Sequence, residues 1–132
     1  MYFTRPKPLI DDDNRVFWEG IKEHRLMLQQ CNDCQKYIFY PRIICPHCYS
    51  ENTIWKEASG QGEIVSYTVV HRAMPPFKAE TPYVVALIQL NEGVRMISRI
   101  VNDPKQVEIG LQVSAVYESV DEELTLPYFQ IK

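Results

Sequence analysis

The chain has 132 residues, 45% of them hydrophobic, which is enough for one domain or two small ones around a real core. A formal charge of -3 supplies no global basic field for nucleic acid or an anionic membrane. No run approaches the ~18 apolar residues of a membrane span, and Met1 to Pro6 has no apolar signal core, so a cytoplasmic protein is expected.

Residues Met1 to Ile10 hold two prolines and little pattern, and read as an extended arm. Asp11-Asp12-Asp13-Asn14 precedes a helical pattern. Carboxylates there complement the helix dipole, and Asp13 or Asn14 is placed to cap. A helix is expected from Arg15 to about His24, with Phe17 and Ile21 on one stripe and Trp18 beside them as a core or partner-facing anchor. Gly20 argues against a long helix. Leu26 and Leu28 then alternate, which suggests a short strand.

All four cysteines lie in two Cys-x-x-Cys pairs, Cys31/Cys34 and Cys45/Cys48, with ten residues between the pairs. Each pair turns both sulfurs toward one point, so two pairs make a tetrahedral thiolate cage for a structural Zn²⁺. Two disulfides, a redox pair, or iron in the same cage are the rival readings. His47, inside the second pair, reads as a bystander where four thiolates are present. Tyr37 to Arg42 reads as aromatic cover for a lobe in which metal replaces a hydrophobic core.

Ser59-Gly60-Gln61-Gly62 marks a boundary. The expected parts are 1–30 (arm and helix), 31–58 (ribbon) and 59–132 (barrel). Strands are expected over Glu63–Arg72, Tyr83–Leu90, Val94–Val101, Val113–Val120 and Tyr128–Ile131, with Gly93 taking positive φ in a hairpin turn. Residues 102–110 read as a loop or single helical turn, and Asp121-Glu122-Glu123 as a solvated turn. The fold class is therefore mainly β: an N-terminal helix, a rubredoxin-like zinc ribbon, then a five-stranded OB-fold barrel, with an SH3-like barrel as the other candidate.

The connection from His71 to Tyr83 is longer than the about two to five residues usual in a hairpin. Pro75, Pro76 and Pro82 stiffen it, and Met74 and Phe77 are apolar at its tip, as in a binding loop on a barrel rim. A loop that merely covers the barrel end is the alternative. Arg72 and Lys78 flank it. The ligand-binding candidates are thus Arg72, Met74, Phe77 and Lys78.

No nucleophile motif or Gly-rich phosphate loop accompanies His24, His47 or His71, so no catalytic residue is assigned. OB barrels often hold single-stranded nucleic acid on a positive groove. Residues 59–132 carry six Lys/Arg against nine Asp/Glu, a net of -3, which argues against that alternative.

Several segments together resemble a known family. They are Phe17-Trp18-Glu19-Gly20, Phe39-Tyr40-Pro41-Arg42, the four cysteines, Tyr67-Thr68-Val69-Val70-His71-Arg72, Pro82-Tyr83-Val84-Val85-Ala86 and Ile109-Gly110. The chain is similar along nearly its whole length to the acyl-CoA-associated zinc-ribbon/OB-fold family, long catalogued as a domain of unknown function. The resemblance implies Zn²⁺ on Cys31, Cys34, Cys45 and Cys48. It also implies a non-catalytic accessory subunit in lipid metabolism that docks on a thiolase-like or related acyl-CoA enzyme and shares acyl-CoA with it. Members of that family look like partners of thiolase-type or hydratase-like enzymes.

Overall fold

The structure is a computed structural model that describes residues 8–74, 77–120, 122 and 124–132. The arm expected over Met1–Lys7, Pro75-Pro76 of the loop, and Asp121 and Glu123 of the acidic turn lie outside the described residues. Helix α1 (Arg15–Lys22) leads into a three-stranded sheet of β1 (Met27–Cys31), β2 (Tyr37–Ile38) and β3 (Thr53–Glu57), with β1 in the middle. The barrel strands are β4 (Gln61–Val70), β5 (Tyr83–Leu90), β6 (Arg95–Ile100), β7 (Gln112–Ser119) and β8 (Thr125–Ile131).

The barrel closes in the order β4-β5-β6-β8-β7. β6 meets β8 in parallel at Ile100 and Phe129, and every other pairing is antiparallel. That strand order makes it an OB-fold and not an SH3-like barrel. A register shift between Ile64 and Ser66 bends β4, so that Gln61–Glu63 also pair with β7 and close the ring. β5 alternates strictly, with Val84, Ala86, Ile88 and Leu90 buried inward. Gly93 takes φ 95 in the β5–β6 turn, as expected. A 3-10 turn, Pro104–Gln106, is the single helical turn between β6 and β7. Among the described residues, no helix is long and apolar enough to cross a membrane.

Helix α1 ends two residues earlier than the sequence suggests. His24 takes φ 63 and its N–H donates to the Ile21 carbonyl, while the Arg25 N–H donates to the Gly20 carbonyl. This is a Schellman ending with histidine where glycine is usual. The His24 ring stacks on Tyr117 at 5.1 Å and ties the helix end to β7. Gly20 is required by packing: a Cβ there would lie 2.5 Å from the Met27 Cγ and 3.0 Å from the Arg25 carbonyl oxygen.

The expected side-chain cap is corrected. Asn14 occupies the N-cap position but makes no capping bond. Its amide instead donates to the Leu9 carbonyl and the Tyr40 hydroxyl, and its oxygen accepts from the Asp11 N–H. The Asp11 carboxylate accepts the N–H groups of Asp13 and Asn14. A buried amide is most stable with all its partners, so Asn14 ties the incoming chain to the ribbon and leaves the helix end to Asp11.

Phe17 and Ile21 of α1, with Leu26 and Leu28, join the same buried cluster as barrel residues such as Ile64, Ile88 and Phe129. Helix and barrel therefore share one core. The ribbon keeps a separate small one of Cys31, Ile38 and Cys45.

Candidate metal centre and adjoining aromatic groove

The two cysteine turns are built alike. The Gln35 N–H donates to the Cys31 carbonyl at 2.9 Å, and the Tyr49 N–H to the Cys45 carbonyl at 2.8 Å. In the other direction the Cys31 N–H donates to the Lys36 carbonyl, and the Cys45 N–H to that of Ser50. Gln35 and Tyr49, each just past a pair, take φ 66 and 65. Both turns thus reverse the chain sharply and leave backbone N–H groups facing sulfur: Cys34 N–H on the Cys31 Sγ at 3.5 Å, His47 N–H on the Cys45 Sγ at 3.4 Å. Asn32 and Asn52 bond through both backbone and side chain, and Ser50 donates to Asp33, which together lock the two turns side by side.

The four Sγ atoms lie within 4.8 Å of one another, with Cys31–Cys48 at 3.5 Å and Cys34–Cys45 at 3.7 Å. Zn–S bonds of ~2.3 Å in a tetrahedron require sulfur separations of about 3.8 Å, so the donor set fits the ion. All four cysteines are free thiols. The backbone N–H of Cys34 favours the Cys31 thiolate and brings that thiol down to about 7 against the opposing effect of burial. The Ser50 N–H favours the Cys48 thiolate too, but the Cys31 sulfur and burial outweigh it and push Cys48 up to about 12. Cys34 is also raised: the Lys36 N–H lowers it, and burial with the Cys31 and Cys45 sulfurs outweighs that. Such a cluster resists full ionisation on its own and is completed by a divalent cation. His47 is exposed and stands outside the sulfur cluster.

Beside the ribbon lies an apolar groove of about 600 Å³, within the size range of small-molecule sites. One wall is aromatic: Phe17 and Trp18 from α1, Phe39 and Tyr40 from the ribbon. Phe17 meets Trp18 edge-on at 5.1 Å and Phe39 at 5.7 Å, and the indole Nε1–H of Trp18 donates to the Tyr40 hydroxyl at 3.3 Å. The other wall is formed by β6 and β8, including the exposed Ile97 and the buried Met96 and Tyr128. Ile97 is 70% exposed between Arg95 and Arg99 on the same face. A second cleft of about 670 Å³, more polar, shares Phe39 and Arg95 with the groove and runs between the ribbon and the β5–β6 turn. Glu92 there stands with Lys36 and Arg95 and offsets part of their charge.

The loop candidates sit elsewhere. Arg72 and Lys78 are exposed, Met74 is 82% exposed, and Phe77 is half-buried ahead of a 3-10 turn, Lys78–Glu80. None of the four lines the aromatic groove. The sequence reading missed the β6 face. Its signal was present as Arg95-x-Ile97-x-Arg99, an alternation that puts two cations and a large apolar side chain on one outward face.

Two family descriptions match the chain in tandem. "ChsH2, rubredoxin-like zinc ribbon domain" covers residues 18–53 and "ChsH2, C-terminal OB-fold domain" covers residues 55–118. With the four clustered thiols, the first makes Zn²⁺ the cofactor of this lobe. A probable enoyl-CoA hydratase alpha subunit of Thermomonospora curvata is 42% identical over 128 residues, 96% of this chain and 40% of that protein. A DUF35 domain-containing scaffold protein of Methanocaldococcus jannaschii is 38% identical over 109 residues, 80% of this chain and 77% of its own length. The chain therefore spans well under half of the hydratase-named relative and most of the scaffold-named one. A solved structure titled "Ltp2-ChsH2(DUF35) aldolase" superposes with a TM-score of 0.85 at 40% identity, covering 95% of this chain and 98% of the matched chain. Zinc ribbon, OB-fold barrel and full-length similarity agree: the chain belongs to the DUF35 family.

Proposed function

We propose that this chain is a non-catalytic subunit that docks on a thiolase-like or related acyl-CoA enzyme and helps it hold or pass on acyl-CoA. The observation that carries the reading is similarity over ribbon and barrel together, across 80% of the chain to a protein named scaffold and 95% to a chain in an aldolase structure. In this reading Cys31, Cys34, Cys45 and Cys48 hold one Zn²⁺ that folds the ribbon. The aromatic groove, with Trp18 and Tyr40, faces the partner. Tryptophan, tyrosine and arginine are the residue types that dominate interface energetics. The loop with Arg72, Met74, Phe77 and Lys78 lies near the acyl-CoA path; of the parts 1–30, 31–58 and 59–132, all three contribute to the groove and the last carries the loop.

Reconstitution tests it. Turnover of the partner enzyme is measured with and without this chain, and a clear gain is expected with it. Phe77→Ala weakens that gain by about 0.8–1.5 kcal/mol, roughly half the value of fully burying a phenylalanine, because the side chain is already half-buried. Zinc content stays unchanged. Turnover of an acyl-CoA by the isolated chain would defeat the accessory reading. Failure to retain any acyl-CoA enzyme at micromolar concentration would defeat the docking half.

A further inference from the structure

Arg99 stands on the outward face of β6 with exposed Arg95 and Ile97, yet its side chain is only 17% exposed. Its Nη1 donates to the Glu80 carboxylate at 2.7 Å, and Glu80 is itself 29% exposed. Its Cζ lies 4.0 Å from the centre of the Tyr83 ring and 5.4 Å from that of Tyr128. The ion pairs of Arg15 with Asp12, and of Arg25 with Glu23 and Glu57, have partners about half exposed or more. Exposed pairs of that kind add little, whereas breaking a sheltered pair leaves a charge poorly solvated.

The four partners come from separate places. Glu80 belongs to the 3-10 turn Lys78–Glu80, Tyr83 opens β5, Arg99 is on β6 and Tyr128 on β8. The turn also carries bonds of its own: the Phe77 N–H to the Met74 carbonyl at 3.0 Å, the Glu80 N–H to the Phe77 carbonyl at 3.0 Å, and the Thr81 N–H and hydroxyl to the Lys78 carbonyl at 3.4 and 2.8 Å. Arg99 and Tyr128 also line two hollows at once. One is the aromatic groove. The other is a small cleft with Glu80, Pro82 and Tyr83. Arg99, whose guanidinium pairs with the turn, thus also borders the groove.

We infer that Arg99 is a positioning residue that fixes the Phe77–Thr81 segment against the barrel, next to the aromatic groove, and that the segment's contribution to a partner's handling of acyl-CoA depends on this hold. The second half rests on the function proposed above; the first does not. Only arginine suits the place, since a planar guanidinium stacks on a ring and bonds a carboxylate edge-on at once, and an ammonium does not.

The test uses Arg99→Met, Arg99→Lys, Glu80→Gln and the Glu80→Gln/Arg99→Met double variant of the full zinc-loaded chain. Hydrogen exchange of the Glu80 and Thr81 amides in the isolated chain should speed up at least about tenfold in Arg99→Met, with barrel amides of β5 unchanged. In the reconstituted complex KM for acyl-CoA should rise about tenfold with kcat nearly constant, and Arg99→Lys should recover part of it. The double variant should be no worse than Arg99→Met, since the two side chains act as one unit. Unchanged exchange at Glu80 and Thr81, or faster exchange over the whole barrel, would overturn the hold. Faster local exchange with KM unchanged would overturn its role in turnover. If the wild-type chain gives no gain in turnover at all, the function proposed above falls and takes that role with it, while the exchange result still decides the hold.

Discussion

Phe17→Ala is the sharpest test of how the helix, ribbon and barrel are joined. Phe17 is 2% exposed and lies in the core shared with the barrel. Its ring also meets Trp18, Phe39 and Tyr40 at 5.1, 5.7 and 6.0 Å. Truncating a buried phenylalanine costs about 3–5 kcal/mol. Three aromatic contacts put this site at the upper end, because each such pair adds about 0.5–1.5 kcal/mol beyond area burial. Against a total of roughly 5–15 kcal/mol, that is a third or more of the stability of such a domain. Denaturant unfolding should show the midpoint fall with the slope unchanged, and a thermal scan a drop of roughly 10–20 °C. Zinc content should hold, since the sulfurs belong to the separate Cys31–Ile38–Cys45 core. Phe17→Leu, which keeps most of the volume but loses the three ring contacts, should lose less than Phe17→Ala. A loss under ~1 kcal/mol in Phe17→Ala, or release of zinc with it, would show that the ring does not join the three parts as argued.

Cys45→Ser should abolish stoichiometric zinc by elemental analysis and unfold the ribbon while much of the barrel's far-ultraviolet signal survives, since Zn²⁺ in such lobes supplies about 10–16 kcal/mol of folding free energy. Gly20→Ala should destabilise by roughly 1–2 kcal/mol in urea. The clash at Met27 and the Arg25 carbonyl outweighs the ~1 kcal/mol that alanine gains in a helix, and a stabilised variant would contradict the packing. Labelled single-stranded DNA or RNA should not bind at low salt. Micromolar binding that weakens steeply with salt would reopen the nucleic-acid reading that the -3 charge argues against.

What was legible in the sequence was local. Paired cysteines at fixed spacing and β-branched alternation report directly on chemistry and on strand pleat, and β5 begins and ends at the expected Tyr83 and Leu90. Contacts distant in sequence were not legible. The groove joins side chains from α1, the ribbon, β6 and β8, and the Glu80–Arg99 pair spans 19 positions. Asn14 was misread in part for the same reason: its amide NH2 donates to Tyr40, 26 positions away, while the oxygen a cap would use accepts the Asp11 N–H instead. The run of five strands rich in apolar residues pointed rightly to a closed barrel. Leu87 on the outer face lines the groove, which the pattern alone does not disclose.

The metal lies outside the groove, yet it governs one wall of it. Phe39 and Tyr40 follow β2, the edge strand of the ribbon, whose small core is two cysteines and Ile38. Without the ion that core is too small to hold the strand in place. Tyr40 then loses its fixed position against Asn14 and the Trp18 indole, and the groove loses half its aromatic wall. The barrel, with its own closed hydrogen-bond ring and the Phe17 and Ile21 contacts, persists. Chelation at neutral pH should therefore abolish partner docking before it unfolds the barrel. Tryptophan fluorescence, from Trp18 and from Trp55 on β3, should shift toward the solvated range in step with zinc release measured by a colorimetric indicator. Re-adding Zn²⁺ should restore both. If chelated protein docks as tightly as the zinc-loaded form, the ribbon is not part of the partner face and the groove is held open by α1 alone.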